Sequence, residues 1–214
     1  MEPISRRLYE LHGNATKMLM FGDMEFDEYD ETHCLRSDAY FQNEDAWDGE
    51  VRYPVDLVFR AQLPEDRRIK PEFLDGHAIL MNHDPKFGLL SANTLVSGRA
   101  AEALSNLSNE FRFVPCRVEG APFEYFIFWI TNVVDIVDRR ASRLDEYPIG
   151  TGKYWIKKAA FNDRVDGIDC CARPPLIKYH AVKDYVTDVF KDAVKKARLT
   201  GFFFVDPATK KEVR

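Results

Sequence analysis

The side chains best equipped for chemistry or recognition crowd into one stretch. Residues 23–50 hold eleven acids (Asp23, Glu25, Asp27, Glu28, Asp30, Glu31, Asp38, Glu44, Asp45, Asp48 and Glu50) against a single base, Arg36. Phe26, Tyr29, Tyr40, Phe41 and Trp47 are threaded among them. Three uses of such a segment compete. It can be a solvated acidic loop or edge hairpin, since most charge runs are wet faces. It can be a metal or hydrolytic site, because Asp23, Asp27, Glu31 and His33 offer hard oxygen and imidazole ligands. Against this, the spacing has neither the glycine at the sixth position of a calcium loop nor the HExxH pattern. It can also be a binding face, with acids that steer a basic partner and aromatics that anchor it. The residues expected to form that face are Glu28, Asp30, Glu31, Glu44, Asp45, Trp47 and Asp48, with Trp47 as the anchor.

Other chemistry is poorly signposted. The chain has no GxSxG elbow, no GxxxxGK[ST] phosphate loop and no GxGxxG turn. His12, His33, His77, His83 and His180 stand apart. His77 and His83 each neighbour an acid, as turn histidines commonly do. The four cysteines (Cys34, Cys116, Cys170 and Cys171) lack CxxC spacing and read as reduced structural thiols. No catalytic residue, metal or cofactor is assigned, and the expectation is a protein that works by binding rather than by catalysis. The runner-up readings are a metal-assisted hydrolase built on the acidic cluster and a self-associating structural or regulatory module.

The elements that must carry these residues follow from composition and periodicity. A chain of 214 residues with 45% hydrophobic content, 16 Phe and 9 Tyr buries a full core and is not a disordered chain. The first thirteen residues carry no apolar run of signal-peptide type, and no stretch is long enough to span a bilayer, so a cytoplasmic location is expected. Charge is divided unevenly: residues 1–60 carry a net −8, residues 61–150 a net −3 and residues 151–214 a net +6. The basic end includes Lys191, Lys195, Lys196 and Arg198 on what reads as the wet face of a helix. Asp184, Asp188 and Asp192 on the same helix argue against a nucleic-acid face. The partner expected is therefore a protein, with no nucleic acid or membrane, and a homo-oligomer remains open.

Residues 7–11 and 17–21 flank His12-Gly13-Asn14 and read as a hairpin. Residues 51–61, 77–81, 111–119, 124–137, 153–160 and 176–180 read as further strands, with Pro54 marking an edge or a bulge and Gly120-Ala121-Pro122 a turn. The 124–137 strand has room to bend at Thr131-Asn132. Two helices are expected: residues 97–107, with Ser97 as N-cap, and residues 182–199, with an apolar stripe at helical spacing and Gly201 as its stop. Residues 202–206 return as a strand, and a crossover joining residues 176–180 to this strand is expected. The fold class is α+β, with mixed and antiparallel sheets, few helices and a C-terminal strand-helix-strand element. Residues 1–50 are expected to form an acidic region packed on a main domain over residues 51–214.

Several segments taken in order resemble a known family. They are LVSGRAAEALSNLSNEFRF (residues 95–113), VPCRVEG, NVVDIVDRRAS (residues 132–142), PPLIKY, an amphipathic helix and LTGFFFVDP (residues 199–207). Over roughly residues 50–210 this order is similar to a bacterial family of polymorphic-toxin immunity proteins, first catalogued as of unknown function and of myxobacterial type. The resemblance implies a cytoplasmic antidote that binds the toxin domain of a cognate effector, encoded by the adjacent gene and delivered between bacteria by contact-dependent secretion such as type VI. It would occlude the toxin's active site. The resemblance transfers no catalytic residue. A basic nuclease is the kind of toxin that the acidic, aromatic front at residues 23–50 would suit.

Overall fold

The computed structural model describes residues 7–21, 25–26, 57–62, 75–76, 78–82, 93–118, 121–146, 149–150, 152, 154–175, 179 and 183–213. One sheet joins the two ends of the chain. β1 (Leu8–His12) lies antiparallel between β12 (Tyr185–Thr187) and β13 (Phe203–Val205), and β11 (Cys171–Ala172) pairs along the far side of β12. The helix α2 (Asp188–Lys196) connects β12 to β13. Because both strands run antiparallel to β1, they are parallel to each other with β1 inserted between them. This is the expected C-terminal strand-helix-strand element.

Both faces of this sheet are covered. Tyr9, Leu11, Cys171, Val186 and Phe204 enter a core with Phe190 and Val194 of α2. Leu8, Ala172 and Tyr185 enter a second core with Ile136, Val137, Ile156, Ile168 and Tyr179. Four successive residues of β1 are therefore buried instead of alternate ones.

The larger sheet has the order β2 (Asn14–Phe21), β5 (Ala78–Asn82), β6 (Asn93–Ser97), β8 (Tyr125–Ile130), β7 (Phe111–Val118), β4 (Leu57–Gln62), β3 (Glu25–Phe26). β2 also pairs with β4, through Met20–Gln62 and Phe21–Ala61, so six strands form a closed ring of pairings. Such closure leaves few edges for another chain to pair with. The β2–β5 and β4–β7 pairs are parallel and the others antiparallel. The helix α1 (Gly98–Leu104) follows β6 directly and buries Ala100, Ala101 and Leu104 in the first core. A separate two-stranded hairpin, β9 (Arg143–Glu146) and β10 (Tyr154–Lys158), leans on the second core through Leu144, Tyr154 and Ile156. The fold is α+β, with mixed and antiparallel sheets and two α-helices among the described residues.

Several local expectations are corrected. Residues 7–11 and 17–21 do not form a hairpin: only Gly13 separates β1 from β2, too short a link for a hairpin turn. The two strands enter different sheets instead. The apolar stripe expected to open a helix at residue 182 begins as strand. Tyr185, Val186 and Thr187, an aromatic and two β-branched residues, pair with β1 and β11, and the helix starts at Asp188. The crossover accordingly starts from β12, and of residues 176–180 only Tyr179 is described, bridging to Tyr154.

Ser97 precedes α1 but makes no side-chain cap. Arg198, not Gly201, takes the first left-handed position after α2 (φ 52°). Its N–H bonds to the Lys195 carbonyl, and that of Leu199 to the Val194 carbonyl, a Schellman ending. Lys191 leaves the wet face: it is buried, with Nζ 4.2 Å from the centre of the Tyr9 ring.

Candidate functional site

The seven residues expected to bind a partner (Glu28, Asp30, Glu31, Glu44, Asp45, Trp47 and Asp48) lie outside the described residues, as does His33. The structure speaks for the strands on either side of them. Glu25 and Phe26 of β3 pair with Val58 and Leu57 of β4. Glu25 and Phe26, near the start of the acidic segment, are thereby held on β4, whose opposite side pairs with β7 through Phe59, Arg60 and Ala61. The start of that segment is thus anchored in the larger sheet. The metal or hydrolytic reading of that segment rests on Asp23, Asp27, Glu31 and His33, which lie outside the described residues. Among the described residues no group of three or more His, Cys, Asp or Glu could hold a metal ion.

Sequence reasoning missed three charged clusters that the fold creates. In the first, Glu10 of β1 is buried and receives Lys183 Nζ at 3.2 and 3.1 Å, a hydrogen bond from Lys210 Nζ and a contact from His12 Nε2 at 3.4 Å. Burial pushes the Glu10 carboxyl up. The hydrogen bonds to His12 and Lys210 and the charges of Lys183 and Lys210 outweigh it, and the group is held down at about 2. Lys183 is itself held below the ordinary lysine range. Burial and the neighbouring Lys210 prevail there over the attraction of Glu10. One carboxylate thus serves two ammonium groups: the carboxylate is strongly stabilised, while burial still prevails at Lys183.

The second cluster centres on Glu110, just before β7. Its carboxylate accepts the backbone N–H groups of Asp169, Cys170 and Cys171 at 3.1, 2.5 and 2.9 Å, and Asn132 Nδ2 at 2.9 Å. One side chain of the larger sheet thereby satisfies three donors of the strand entering the smaller one. Cys170 and Cys171 are both fully buried free thiols, and burial holds the Cys171 thiol well above its usual range.

In the third, the hydroxyl of Tyr9 donates to Asp188 at 2.8 Å and accepts from Lys191 at 3.1 Å, which ties β1 to the first turn of α2. Burial and Asp188 raise the Tyr9 hydroxyl above its usual value. All three clusters join segments more than fifty residues apart: the first braces the smaller sheet from within, the second links the start of β7 to β11, and the third fixes β1 to α2. The only hint in the sequence was placement: Glu10 stands at an inward position of an otherwise apolar strand, where a charge needs a partner.

With this framework in place the chain can be compared with known proteins. A family model described as Immunity protein family (Imm11) matches residues 21–209. The chain belongs to this immunity protein family. The Imm11 match begins well before residue 50, so it takes in the whole acidic segment, which the motif resemblance had left outside. β1 lies before the matched region, while its partners β12 and β13 lie inside it. No curated protein matches the chain.

Proposed function

We propose that this chain is a cytoplasmic antidote that binds the toxin domain of a cognate antibacterial effector and neutralises it without chemistry of its own. Membership of the Imm11 immunity family over residues 21–209 carries this reading. The toxin is encoded by the adjacent gene and reaches neighbouring cells by contact-dependent secretion, type VI among the routes. The acidic segment is the binding face. Glu28, Asp30, Glu31, Glu44, Asp45 and Asp48 supply a steering field and a polar rim, and Trp47 supplies the anchor. A basic nuclease is the toxin class that suits such a field, because an acidic surface imitates the phosphates that the enzyme would otherwise bind. Occlusion of its active site follows from that imitation.

The test is co-expression. The tagged chain and the C-terminal domain of the large protein encoded beside it are produced together and separately. A stable complex, with cells surviving only when both are present, supports the reading. Toxicity unrelieved by this chain, with no complex, overturns it.

A further inference from the structure

β1 is held along its ladder by β12, and the residue just before β12 carries that ladder one step further. The Leu11 N–H donates to the Asp184 carbonyl at 2.8 Å. Two acids therefore meet at this end of β1, and their surroundings differ. The Glu10 carboxylate is served by Lys183, Lys210 and His12. The Asp184 carboxylate is half-buried and accepts no hydrogen bond among the described residues.

Strand alternation explains the difference. Tyr185 enters the second core and Val186 the first, so Asp184 falls on the side of the first core and Lys183 on the side of Glu10. The groups that face Asp184 there come from two neighbouring segments. Cys171 of β11 supplies a buried thiol, Arg173 just beyond it a buried guanidinium, and β1 supplies His12. Arg173 is stacked over the Trp129 ring, 4.4 Å from its centre. Burial pushes the Asp184 carboxyl up to about 6, and the charges of Arg173 and His12 only partly offset it.

We propose that Asp184 makes the hold on β1 sensitive to pH: its protonation in weak acid tightens the junction of β1 with β12, and its ionisation toward neutral pH loosens it. The carbonyl that fastens Leu11 and the carboxylate that titrates belong to one residue, so the charge appears where β1 is fastened. When β1 parts from this residue, the carboxylate meets water and returns to its ordinary value of 3.8. A carboxyl held above that value contributes stability that is full below it and is lost as pH rises through about 6. The sign is opposite to that of Glu10, whose carboxyl is held down. Between pH 5 and 7.5 these two values make opening about tenfold easier. A protonated His12 would also strengthen its contact with Glu10, so its share has to be separated. The inference concerns the fold and stands independently of the antidote reading.

The experiment follows amide hydrogen exchange of Leu11 by NMR in the full chain at pH 5 and 7.5, with the intrinsic exchange rate divided out. The parent, Asp184→Asn and His12→Gln are compared, and thermal melting at pH 5 confirms each fold. In the parent, opening is expected to rise about tenfold from pH 5 to 7.5. Asp184→Asn, neutral throughout, is expected to reduce that rise to less than about twofold and to protect Leu11 better than the parent at pH 7.5. His12→Gln is expected to keep most of the rise. Leu11 protection that does not change with pH in the parent overturns the proposal. So does a rise that survives in Asp184→Asn and vanishes in His12→Gln, because it belongs to His12. Should Asp184→Asn not fold, the carbon-13 shift of the Asp184 carboxyl in the parent decides. A midpoint near 6 that coincides with the change at Leu11 supports the proposal, and one near 3.8 overturns it.

Discussion

Glu10 illustrates how single residues govern this protein. Its carboxyl lies at about 2, against an ordinary value of 4.5. A depressed carboxylate contributes stability that is fully present above the unfolded value and is lost as pH falls through the folded one. The window therefore runs from about pH 4.5 down to about 2. The shift corresponds to roughly 3 kcal/mol. Denaturant unfolding between pH 6 and 2.5 should show this acid limb in the parent. In Glu10→Gln the limb should be shallower and the protein less stable at pH 6, because Lys183 and Lys210 then face each other without a counter-charge. An acid limb of unchanged slope would show that Glu10 does not hold the two lysines. At the proposed interface, reversal of Asp45 and Asp48 to lysine should slow association with the toxin and weaken its dependence on salt, as stopped-flow mixing at two ionic strengths would show. An unchanged on-rate would remove the steering role.

Ser97 shows how the elements are set. It stands where a cap belongs, yet its hydroxyl accepts the Gly76 N–H at 2.6 Å and reaches Asp75 at 3.0 Å. It closes the turn before β5 onto the end of β6, while Gly76 holds a left-handed backbone (φ +74°) against Arg99. Ser97→Ala should cost about 2 kcal/mol, from a buried N–H left without its acceptor. A double-mutant cycle with Asp75→Ala should give a coupling near 1 kcal/mol. A helix cap would give none, so an additive cycle would restore the capping role. The strand over residues 111–119 and the first half of that expected over 124–137, which ends at Ile130 and continues only as isolated bridges at Val133 and Val137, were legible because Gly120-Ala121-Pro122 separates two runs rich in aromatic and branched residues. Their hairpin, β7–β8, pairs from Phe111–Ile130 to Cys116–Tyr125. The strand nature of Tyr185–Thr187 was not legible. A short apolar run leading into a helix fits the helical stripe equally well, and only its two strand neighbours decide.

At the scale of the whole molecule, the first strand is the keystone of the last thirty residues. β1 lies between β12 and β13, its Tyr9 holds α2 through Asp188 and Lys191, and its Glu10 holds Lys183 and Lys210. Removal of residues 1–12 would strip both neighbours of their shared ladder and open two cores at once. The truncated chain should lose its cooperative melt and its near-ultraviolet circular dichroism. A melting temperature within a few degrees of the parent would show that the smaller sheet stands without β1.

The residues by themselves determined the α+β class, the β7–β8 hairpin and the terminal helix with its returning strand. These depend on local periodicity, turn chemistry and composition, which a short window contains. The family order of segments was legible for the same reason. The sequence also set out the acidic segment at residues 23–50 as a candidate surface. Only the tertiary structure decided that β1 and β2 part into different sheets, that β2 meets β4 to close a ring, that Glu10 and Lys191 are buried, and that half-buried Glu110 links the two sheets. It alone placed Asp184 beside the end of β1. Each of these depends on partners tens to two hundred residues away. The free energy of a buried charge is set by what the fold brings against it, and no local pattern encodes that.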